Sequence, residues 1–452
     1  MLRRFRHGRF RHFAAAAAVL ALAACGSSNS SSSTPSTNTS SGPVTITFWT
    51  WLGTPQMQQL AAEFTRSHPN IKVNVVNAGV SAAEYTKLET ADKAGKGGPD
   101  VAQIEYFALP QFALSSQAVN LDGYGAQSVQ PRYAASAWAA VTINGGVYGF
   151  PQDTGPMAMF YRADIFRKAG LTPPATWSQF AADAAVIHKK FPKTYIANMD
   201  PSDPGTATSL MWQAGATPFK IKNTSNVSLN LSQSGVQQWS ALWSGLLARK
   251  LVATDTGWTT SWWSAMSAGK YATWVTGAWA PAPLGSNIPQ TAADWRVAPM
   301  PQWAAVKGAG EAGGVTAENG GSSDAVMATS QHKAQAVEFA EWLNSSPEAA
   351  QALASLGLFP ATSALLTSSS WLNAPVKMLA GQQGNKVLAQ SSGQVAAGWQ
   401  YLPFQVYANS VYADTVGQSI STGTNLSTGL SAWQQRIASY GQSEGFTVKT
   451  GS

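Results

Sequence analysis

The sequence has very little of several residue types on which many protein classes depend. It contains one cysteine and five histidines in 452 residues. A single cysteine excludes internal disulfides and cysteine-based metal clusters. Only His68, His188 and His332 lie beyond the N-terminal segment, and they are widely scattered. An H-E-x-x-H motif is also missing, and with three scattered histidines the chain lacks the parts of a zinc hydrolase or a serine-hydrolase triad.

Charge is also scarce and unevenly placed. Charged residues make up 11% of the chain, against about 25% in typical globular proteins. The net charge is +7, but five arginines fall within the first eleven residues. Removing these five from the 29 basic residues leaves 24 against 22 acidic residues, a net charge near +2. Most of the positive net charge therefore comes from the N-terminal segment, and it does not indicate a nucleic-acid partner.

The cysteine, Cys25, lies at the end of an apolar run. Twelve residues, Phe13–Ala24, follow the basic segment, which is too short for a transmembrane helix and typical of a signal peptide. The run ends Leu-Ala-Ala-Cys-Gly, which resembles a bacterial lipobox and implies diacylation of Cys25. Two acyl chains anchor stably, at about 0.8 kcal/mol per buried methylene. We expect a signal peptide at 1–24 and a Ser/Thr-rich tether at 25–43; an ordinary secretory signal cleaved nearby is the alternative. No second apolar stretch is long enough to predict a transmembrane helix.

The first segment after the tether has the pattern of a strand, a helix and a strand. Residues 44–49 alternate apolar and polar side chains, residues 54–64 have helical spacing, and residues 71–75 alternate again. A further apolar strand is predicted at 101–104, and a helix with an apolar face at 336–343. A βαβ unit indicates a parallel sheet. We therefore predict an α/β fold.

Aromatic and acidic residues follow the predicted strands. Trp49 and Trp51 lie at the end of the first strand, and Glu105 and Tyr106 follow the strand at 101–104. Open parallel sheets bind ligands at these carboxyl ends. Rings can stack on the C–H face of a sugar, and carboxylates can accept hydrogen bonds from its hydroxyls. The pattern favours a saccharide; the alternatives are core or rim packing for the tryptophans and a solvated or salt-bridged position for Glu105.

A longer motif carries a family resemblance. The segment GGVYGFPQDTGPMAMFYRADIFRKAGLTPPATWSQF (Gly145–Phe180) resembles the bacterial extracellular solute-binding proteins, the maltose-binding-like sugar group of ABC importers. Five further pieces follow in the expected order: SAGKYATWVTGAW (267–279), WRVAPMPQW (295–303), GGSSDAVMATS (320–330), AVEFAEWL (336–343) and WQQRIASYGQSEGFTV (433–448).

The resemblance implies a two-lobed Venus-flytrap architecture. Each lobe is expected to be a mostly parallel sheet flanked by helices. Lobe 1 is expected at 44–153 and 304–358, and lobe 2 at 154–303 and 359–452. The crossovers are expected near Asp153–Met157, Pro299–Trp303 and Gly357–Ala361, where Pro and Gly restrict or widen the backbone choices as hinge residues do.

The resemblance also implies ligand positions at the matching motifs. The implied ligand-binding residues are Trp51, Glu105, Tyr106, Asp153, Asp203, Trp279, Glu318, Gly320, Tyr407 and Tyr412. Four other tryptophans are expected to pack the core of lobe 2 instead: Trp258, Trp262, Trp263 and Trp274.

The function implied is capture of a di- or oligosaccharide between the lobes. A lipid-anchored monomer on the outer face of the bacterial cell membrane would deliver it to permease subunits with a cytoplasmic ATPase, without cofactor or metal. A peptide-binding or other polar-solute-binding relative is one alternative. A secreted glycoside-acting enzyme is another, because Glu105, Asp153 and Asp203 could supply its carboxyl pair. Gly308–Gly313 spells G-x-G-x-x-G, but neither a β-branched strand nor a helical pattern flanks it, which argues against a dinucleotide site.

Overall fold

A computed structural model describes residues 42–304 and 314–451 of the chain. The predicted signal peptide, Cys25 with most of the tether, and Gly308–Gly313 lie outside the described residues. Within the described ranges, no helix combines the length and the apolar character needed to cross a membrane.

The strands and helices alternate along most of the chain. The strands are β1 (Val44–Trp49), β2 (Ile71–Val76), β3 (Val101–Glu105), β4 (Thr142–Ile143), β5 (Gly146–Val147), β6 (Phe150–Arg162), β7 (Phe219–Asn223), β8 (Asn226–Leu229), β9 (Thr273–Gly277), β10 (Trp295–Ala298), β11 (Glu318–Val326) and β12 (Thr447–Thr450). The α-helices are α1 (Thr54–Ser67), α2 (Ala82–Ala94), α3 (Leu109–Leu114), α4 (Ala135–Val141), α5 (Ala163–Ala169), α6 (Trp177–Lys190), α7 (Pro204–Gln213), α8 (Ser234–Ala248), α9 (Thr260–Ser267), α10 (Pro281–Asn287), α11 (Lys333–Ser345), α12 (Pro347–Ser355), α13 (Ser363–Leu366), α14 (Ser369–Asn373), α15 (Gly384–Gly393), α16 (Gln405–Ser410), α17 (Gln418–Thr422) and α18 (Leu426–Ser443).

The predicted βαβ unit is present at β1–α1–β2. Strands β1 and β2 pair in parallel from Val44 with Ile71 to Trp49 with Val76. Apolar and polar residues alternate along β1 because every second side chain, those of Val44, Ile46 and Phe48, is buried in the core. Strand β3 pairs in parallel with β1 on its other side. The α/β prediction is confirmed, as are the helix after the first strand and the helix at 336–343 within α11.

Two long strands cross the molecule and make the main sheet mixed rather than mostly parallel. The sheet has the order β10-β6-β11-β3-β1-β2, and β9 also pairs with β6. The first half of β6 pairs with β11, and its second half, from Met157, pairs with β9 and β10. These pairs and the β11–β3 pair are antiparallel. The reason is topological, because a chain that leaves a lobe along β6 and returns along the neighbouring β11 must run in opposite directions.

The apolar residues form separate cores on either side of the crossing strands. The first core takes its buried residues from 44–150 and 325–361. A second core draws on 157–317 and 402–438, and a third draws on 158–388. Strand β6 passes from the first core to the others between Phe150 and Met157. A third segment crosses beside it, where Asp153 bridges Pro360 and the Thr154 amide donates to the Phe359 carbonyl at 3.0 Å.

A cleft lined by tryptophans and carboxylates

A cleft of about 980 Å³ opens where the first core meets the second and third. Its lining includes seven of the ten implied ligand positions: Trp51, Glu105, Asp153, Asp203, Trp279, Gly320 and Tyr412. Trp51 follows β1 and Glu105 ends β3, so the carboxyl ends of two parallel strands meet at the cleft as the sheet geometry requires. The crossing strands contribute Asp153 and Gly320, and the other side of the cleft contributes Asp203, Trp279 and Tyr412.

Three implied positions lie outside the cleft lining. Tyr106 is buried, and its hydroxyl donates to the Asp153 carbonyl oxygen at 2.8 Å. Consecutive residues of an extended chain face opposite ways, so Glu105 and Tyr106 do not both reach the cleft. Glu318 is buried in β11, and burial raises the pKa of its carboxyl to about 7. The Tyr407 ring stacks on Tyr440, with the ring centroids 3.7 Å apart.

Glu105 is held in place by a tyrosine of α2. The Tyr85 hydroxyl donates to the Glu105 carboxylate at 2.9 Å and accepts from the Glu105 backbone amide at 3.0 Å. Burial raises the pKa of the carboxyl, although the Tyr85 and Ser81 hydrogen bonds oppose the rise. The carboxylate therefore has a fixed direction and a weakened hydration shell, which suits it to accept a hydrogen bond from a ligand hydroxyl.

Asp153 lies in the floor of the cleft, where β6 and β11 pair. The Ser322 hydroxyl of β11 donates to its carboxylate at 2.5 Å, and the Gln103 side-chain amide donates to the Ser322 oxygen at 3.1 Å. Burial raises the pKa of Asp153 to about 7. The polar side chains of three strands thus orient one carboxyl group of the floor.

Asp203 has a structural role of its own at the start of α7. Its carboxylate accepts from the Thr206 amide at 2.9 Å and from the Thr206 hydroxyl at 2.6 Å, so Asp203 is the N-cap of this helix. Burial raises the pKa of its carboxyl. Pro204, Gly205 and Thr206 line the cleft beside it, so the first turn of α7 faces the cleft.

Trp279 packs against the crossing strand β11. Its indole N–H donates to the Asn319 carbonyl oxygen at 2.7 Å. A Cβ on Gly277 would lie 2.4 Å from the indole nitrogen, and a Cβ on Gly320 would lie 2.9 Å from it. Gly320 also has a φ of 89°, a conformation that favours glycine. Both glycines therefore let the indole approach the backbone and leave its half-buried ring at the cleft.

Trp279 belongs to a group of five tryptophans that we call the indole cluster: Trp258, Trp262, Trp263, Trp274 and Trp279. The Trp258 ring centroid lies 5.7–6.1 Å from those of the other four. The expectation that the first four pack the core is correct for Trp262 and Trp263, which are buried, and wrong for Trp258, which is 58% exposed. Trp258, Trp262 and Trp274 all line the cleft.

The local sequence contains a signal for the exposure of Trp258. Thr259 is the N-cap of α9, and its hydroxyl accepts from the Trp262 amide at 3.1 Å. A tryptophan directly before an N-cap lies outside the helix. Trp258 also has a φ of 62°, which is rare for a bulky residue and clusters at functional sites.

Sequence reasoning also missed residues that reach the cleft from distant loops, such as Asn198, Tyr401 and Asn409. These residues lie in loops and short helices whose approach to the cleft depends on tertiary structure. In the part of the chain that the structure describes, no three His, Cys, Asp or Glu side chains are grouped so that they could hold a metal ion.

Comparison with known proteins finds one family and several similar structures. The model of the family described as bacterial extracellular solute-binding protein matches residues 50–350. The lactose-binding protein of Rhizobium radiobacter is 25% identical over 311 residues, 65% of this chain and 69% of that protein.

Two of the similar structures contain a bound disaccharide. An ABC transporter associated binding protein from B. animalis subsp. lactis Bl-04, in complex with β-1,6-galactobiose, is 37% identical with a TM-score of 0.77 over 90% of this chain and 100% of that chain. The galacto-N-biose-/lacto-N-biose I-binding protein of Bifidobacterium longum, in complex with lacto-N-biose, is 25% identical with a TM-score of 0.78 over 90% of this chain and 99% of that chain.

Proposed function

The chain belongs to the bacterial extracellular solute-binding protein family, and from that premise we propose that it captures a di- or oligosaccharide in its cleft for an ABC importer. The observation that carries the proposal is the pairing of exposed indole faces with oriented carboxylates across one cleft. Trp258 and Trp279 offer rings on one side, and Glu105 offers a carboxylate at the end of β3. Aromatic rings stack on the C–H face of a sugar, and carboxylates accept hydrogen bonds from its hydroxyls. The relatives named above that bind lactose, β-1,6-galactobiose and lacto-N-biose support a saccharide over a peptide.

The proposed mechanism is capture by closure of the two lobes. Lobe 1 is expected from the resemblance at 44–153 with 304–358, but Ala317 packs in the second core and β11 then crosses to the first. The lobe boundaries we propose are therefore 44–153 with 318–358 for lobe 1 and 154–317 with 359–452 for lobe 2, and the ligand-binding residues are those implied positions that line the cleft. A saccharide that touches both lobes stabilises the closed form. A shift from 1:99 to 99:1 needs about 5.5 kcal/mol of differential affinity. Stacked rings at about 0.5–1.5 kcal/mol each and charge-assisted hydrogen bonds at about 1.5–3 kcal/mol each are sufficient.

The remaining parts of the proposal concern location and partners. We propose that Cys25 is the lipidated N-terminus of the mature protein and that residues after it tether the lobes to the outer face of the cell membrane. The closed, loaded protein then docks on membrane permease subunits that a cytoplasmic ATPase drives. The protein binds its saccharide without transforming it and acts as a monomer.

A titration of intrinsic tryptophan fluorescence tests the binding proposal directly. The indole cluster lies at the cleft, so an occupied cleft changes the emission. The probes are β-1,6-galactobiose, lactose, lacto-N-biose and a tripeptide mixture. Saturable change with at least one disaccharide and none with the peptides is the expected result. Saturation by the peptides alone would overturn the saccharide proposal.

A further inference from the structure

The charged residues that line the cleft are all of one sign. Glu105, Asp153, Asp200 and Asp203 line it, and among the described residues of its lining there is no lysine, arginine or histidine. A cleft of this composition contrasts with the chain as a whole, in which basic residues outnumber acidic ones.

These four carboxylates are held by neutral donors. None of the ion pairs between described residues involves them. The hydroxyls of Tyr85, Ser322, Thr206 and Ser202 donate to Glu105, Asp153, Asp203 and Asp200 respectively. Hydrogen bonds of this kind orient a carboxylate without cancelling its charge. The ionised members of the set, of which Asp153 is about half ionised near pH 7, therefore give the cleft a negative potential.

Three groups buried behind the lining are also acids, and the cation that acts on one of them, Lys87 of α2, has its ammonium bound to the Ala78 carbonyl. Glu84 is fully buried, and burial followed by the charge of Glu105 raises the pKa of its carboxyl to about 9. Glu318 and Asp324 are buried near Asp153, and burial is the main cause that raises the pKa of each to about 7. These are further acids, not bases.

One helix start at the cleft that could hold an anion, that of α7, is already occupied. Helix α7 presents its first turn to the cleft, and a helix N-terminus is a natural anion site. The Asp203 carboxylate accepts from the Thr206 amide and hydroxyl there. A carboxylate, sulfate or phosphate on a ligand would have to displace Asp203 or lie against it.

We propose that the cleft selects its saccharide by charge, accepting neutral saccharides and rejecting those that carry a carboxylate, sulfate or phosphate. The proposal rests on the proposed function and names the ligand class for the same cleft. An anion entering this cleft loses its hydration and meets no cation among the described lining residues, which is costly. Rejection by a built-in repulsive element is a common way to obtain specificity.

The test compares two modified sugars of the same shape. β-1,6-Galactobiose, lactose and lacto-N-biose all end in a galactose whose C6 can be converted to a carboxylate or to a carboxamide. The carboxamide controls for size, because it has the same heavy-atom shape without the charge. Calorimetry with the disaccharide that binds best should give an affinity for the uronamide at least about 100-fold above that for the uronate, equivalent to about 2.8 kcal/mol.

Two variants then locate the repulsion. Asp203→Asn keeps a good N-cap residue and removes one charge, and Glu105→Gln removes a charge on the other side of the cleft. Each should narrow the uronamide-to-uronate ratio by about tenfold, the scale of one like charge roughly 12 Å from the ligand carboxylate at an effective dielectric constant near 20. Glu348→Gln is the matched control, because Glu348 is exposed on α12 and outside the cleft lining; it should leave the ratio unchanged.

The outcomes separate the two proposals. If no saccharide binds, the proposed function fails and the charge selection fails with it. If a neutral disaccharide binds and its uronate binds as tightly as its uronamide, only the charge selection is overturned. Equal weakening by both modified sugars would also overturn it, since size and not charge would then decide. A ratio that stays the same in both cleft variants would place the repulsion elsewhere and refute the assignment to these carboxylates.

Discussion

Replacement of Trp258 is the sharpest single test of the proposed binding surface. Its side chain is 58% exposed at the cleft, so a sugar that stacks on it buries surface that is free in the empty protein. Stacking contributes about 0.5–1.5 kcal/mol beyond the area buried, and covering 50 Å² or so of ring adds about 1 kcal/mol at about 25 cal/mol per Å². We expect Trp258→Ala and Trp258→Gly, which both remove the ring, to lose about 2 kcal/mol of binding free energy, roughly a 30-fold loss of affinity.

The same substitutions should change the stability of the empty protein little. Less than half of the side chain is buried, so truncation removes only part of the packing of a core tryptophan. Trp258 has a φ of 62°, and an L-residue in that region costs about 1–2 kcal/mol. Trp258→Gly removes this strain together with the ring. We therefore expect Trp258→Gly to melt within a few degrees of the original protein.

Differential scanning calorimetry and isothermal titration with the best-binding disaccharide measure both quantities. Trp342→Ala is the matched control, because Trp342 packs beside Phe64 on the first core and lies outside the cleft. It should lower the melting temperature and keep the affinity. Unchanged affinity in Trp258→Gly would refute the reasoning, since the exposed ring would then have no part in binding.

Three further predictions follow from the same molecule. Cys25→Ser should leave folding and binding intact and release the protein from membranes, as measured by fractionation; unchanged membrane association would contradict the lipid anchor. Incubation with the best ligand should yield no shorter saccharides by chromatography, whereas products that disappear in Asp203→Asn would favour a glycoside-acting enzyme. Glu318 has a pKa raised by burial from 4.5 to about 7, so between these values the folded protein keeps a proton that the unfolded chain has released. Stability should therefore fall as pH rises from about 4.5 to 7, by about 3 kcal/mol for this group at 1.36 kcal/mol per pKa unit. Glu318→Gln should reduce the slope of that part of a plot of melting temperature against pH, the remainder coming from buried acids such as Asp153 and Asp324; an unchanged slope would show that Glu318 does not contribute to it.

The sequence predicts local elements well because local patterns determine them. Residues 44–76 show alternation, helical spacing and alternation again, and they fold as β1, α1 and β2. The crossing strand β6 has no such pattern, since it is buried on both faces over nearly its full length. Its conformation depends on partners far away in the chain, as the Ser322–Asp153 hydrogen bond across 169 positions illustrates. The glycine at position 155 is also required by a distant partner, because a Cβ there would lie 2.0 Å from the Asn319 carbonyl oxygen.

The residues of the candidate site also differ in how far local sequence predicts them. Trp51 and Glu105 could be predicted at the cleft because each follows a strand whose end the topology rule places there. The N-cap at Thr259 indicates only that Trp258 lies outside α9. Its place at the cleft depends on the packing of five indoles from β9, α9 and the loops beside them, which the local sequence does not show. Tyr106 shows the limit of the rule, since one further residue along the chain reverses the side-chain direction and buries its ring under Asp153.

The floor and the walls of the cleft must therefore contribute differently to capture. The floor is made by the crossing strands, where Ser322 pairs with Asp153 and Gly321 with Thr154. A ligand group on this floor would touch residues of the connection itself, so in the proposed closure it keeps the same contacts in the open and the closed form. Such contacts add affinity without favouring either form, because only a difference in affinity moves a two-state balance. The walls carry Glu105 on one side and Trp258 on the other, and in the proposed mechanism closure brings both against one saccharide. Under the proposed capture by closure, the free energy that favours the closed form must come from these wall residues.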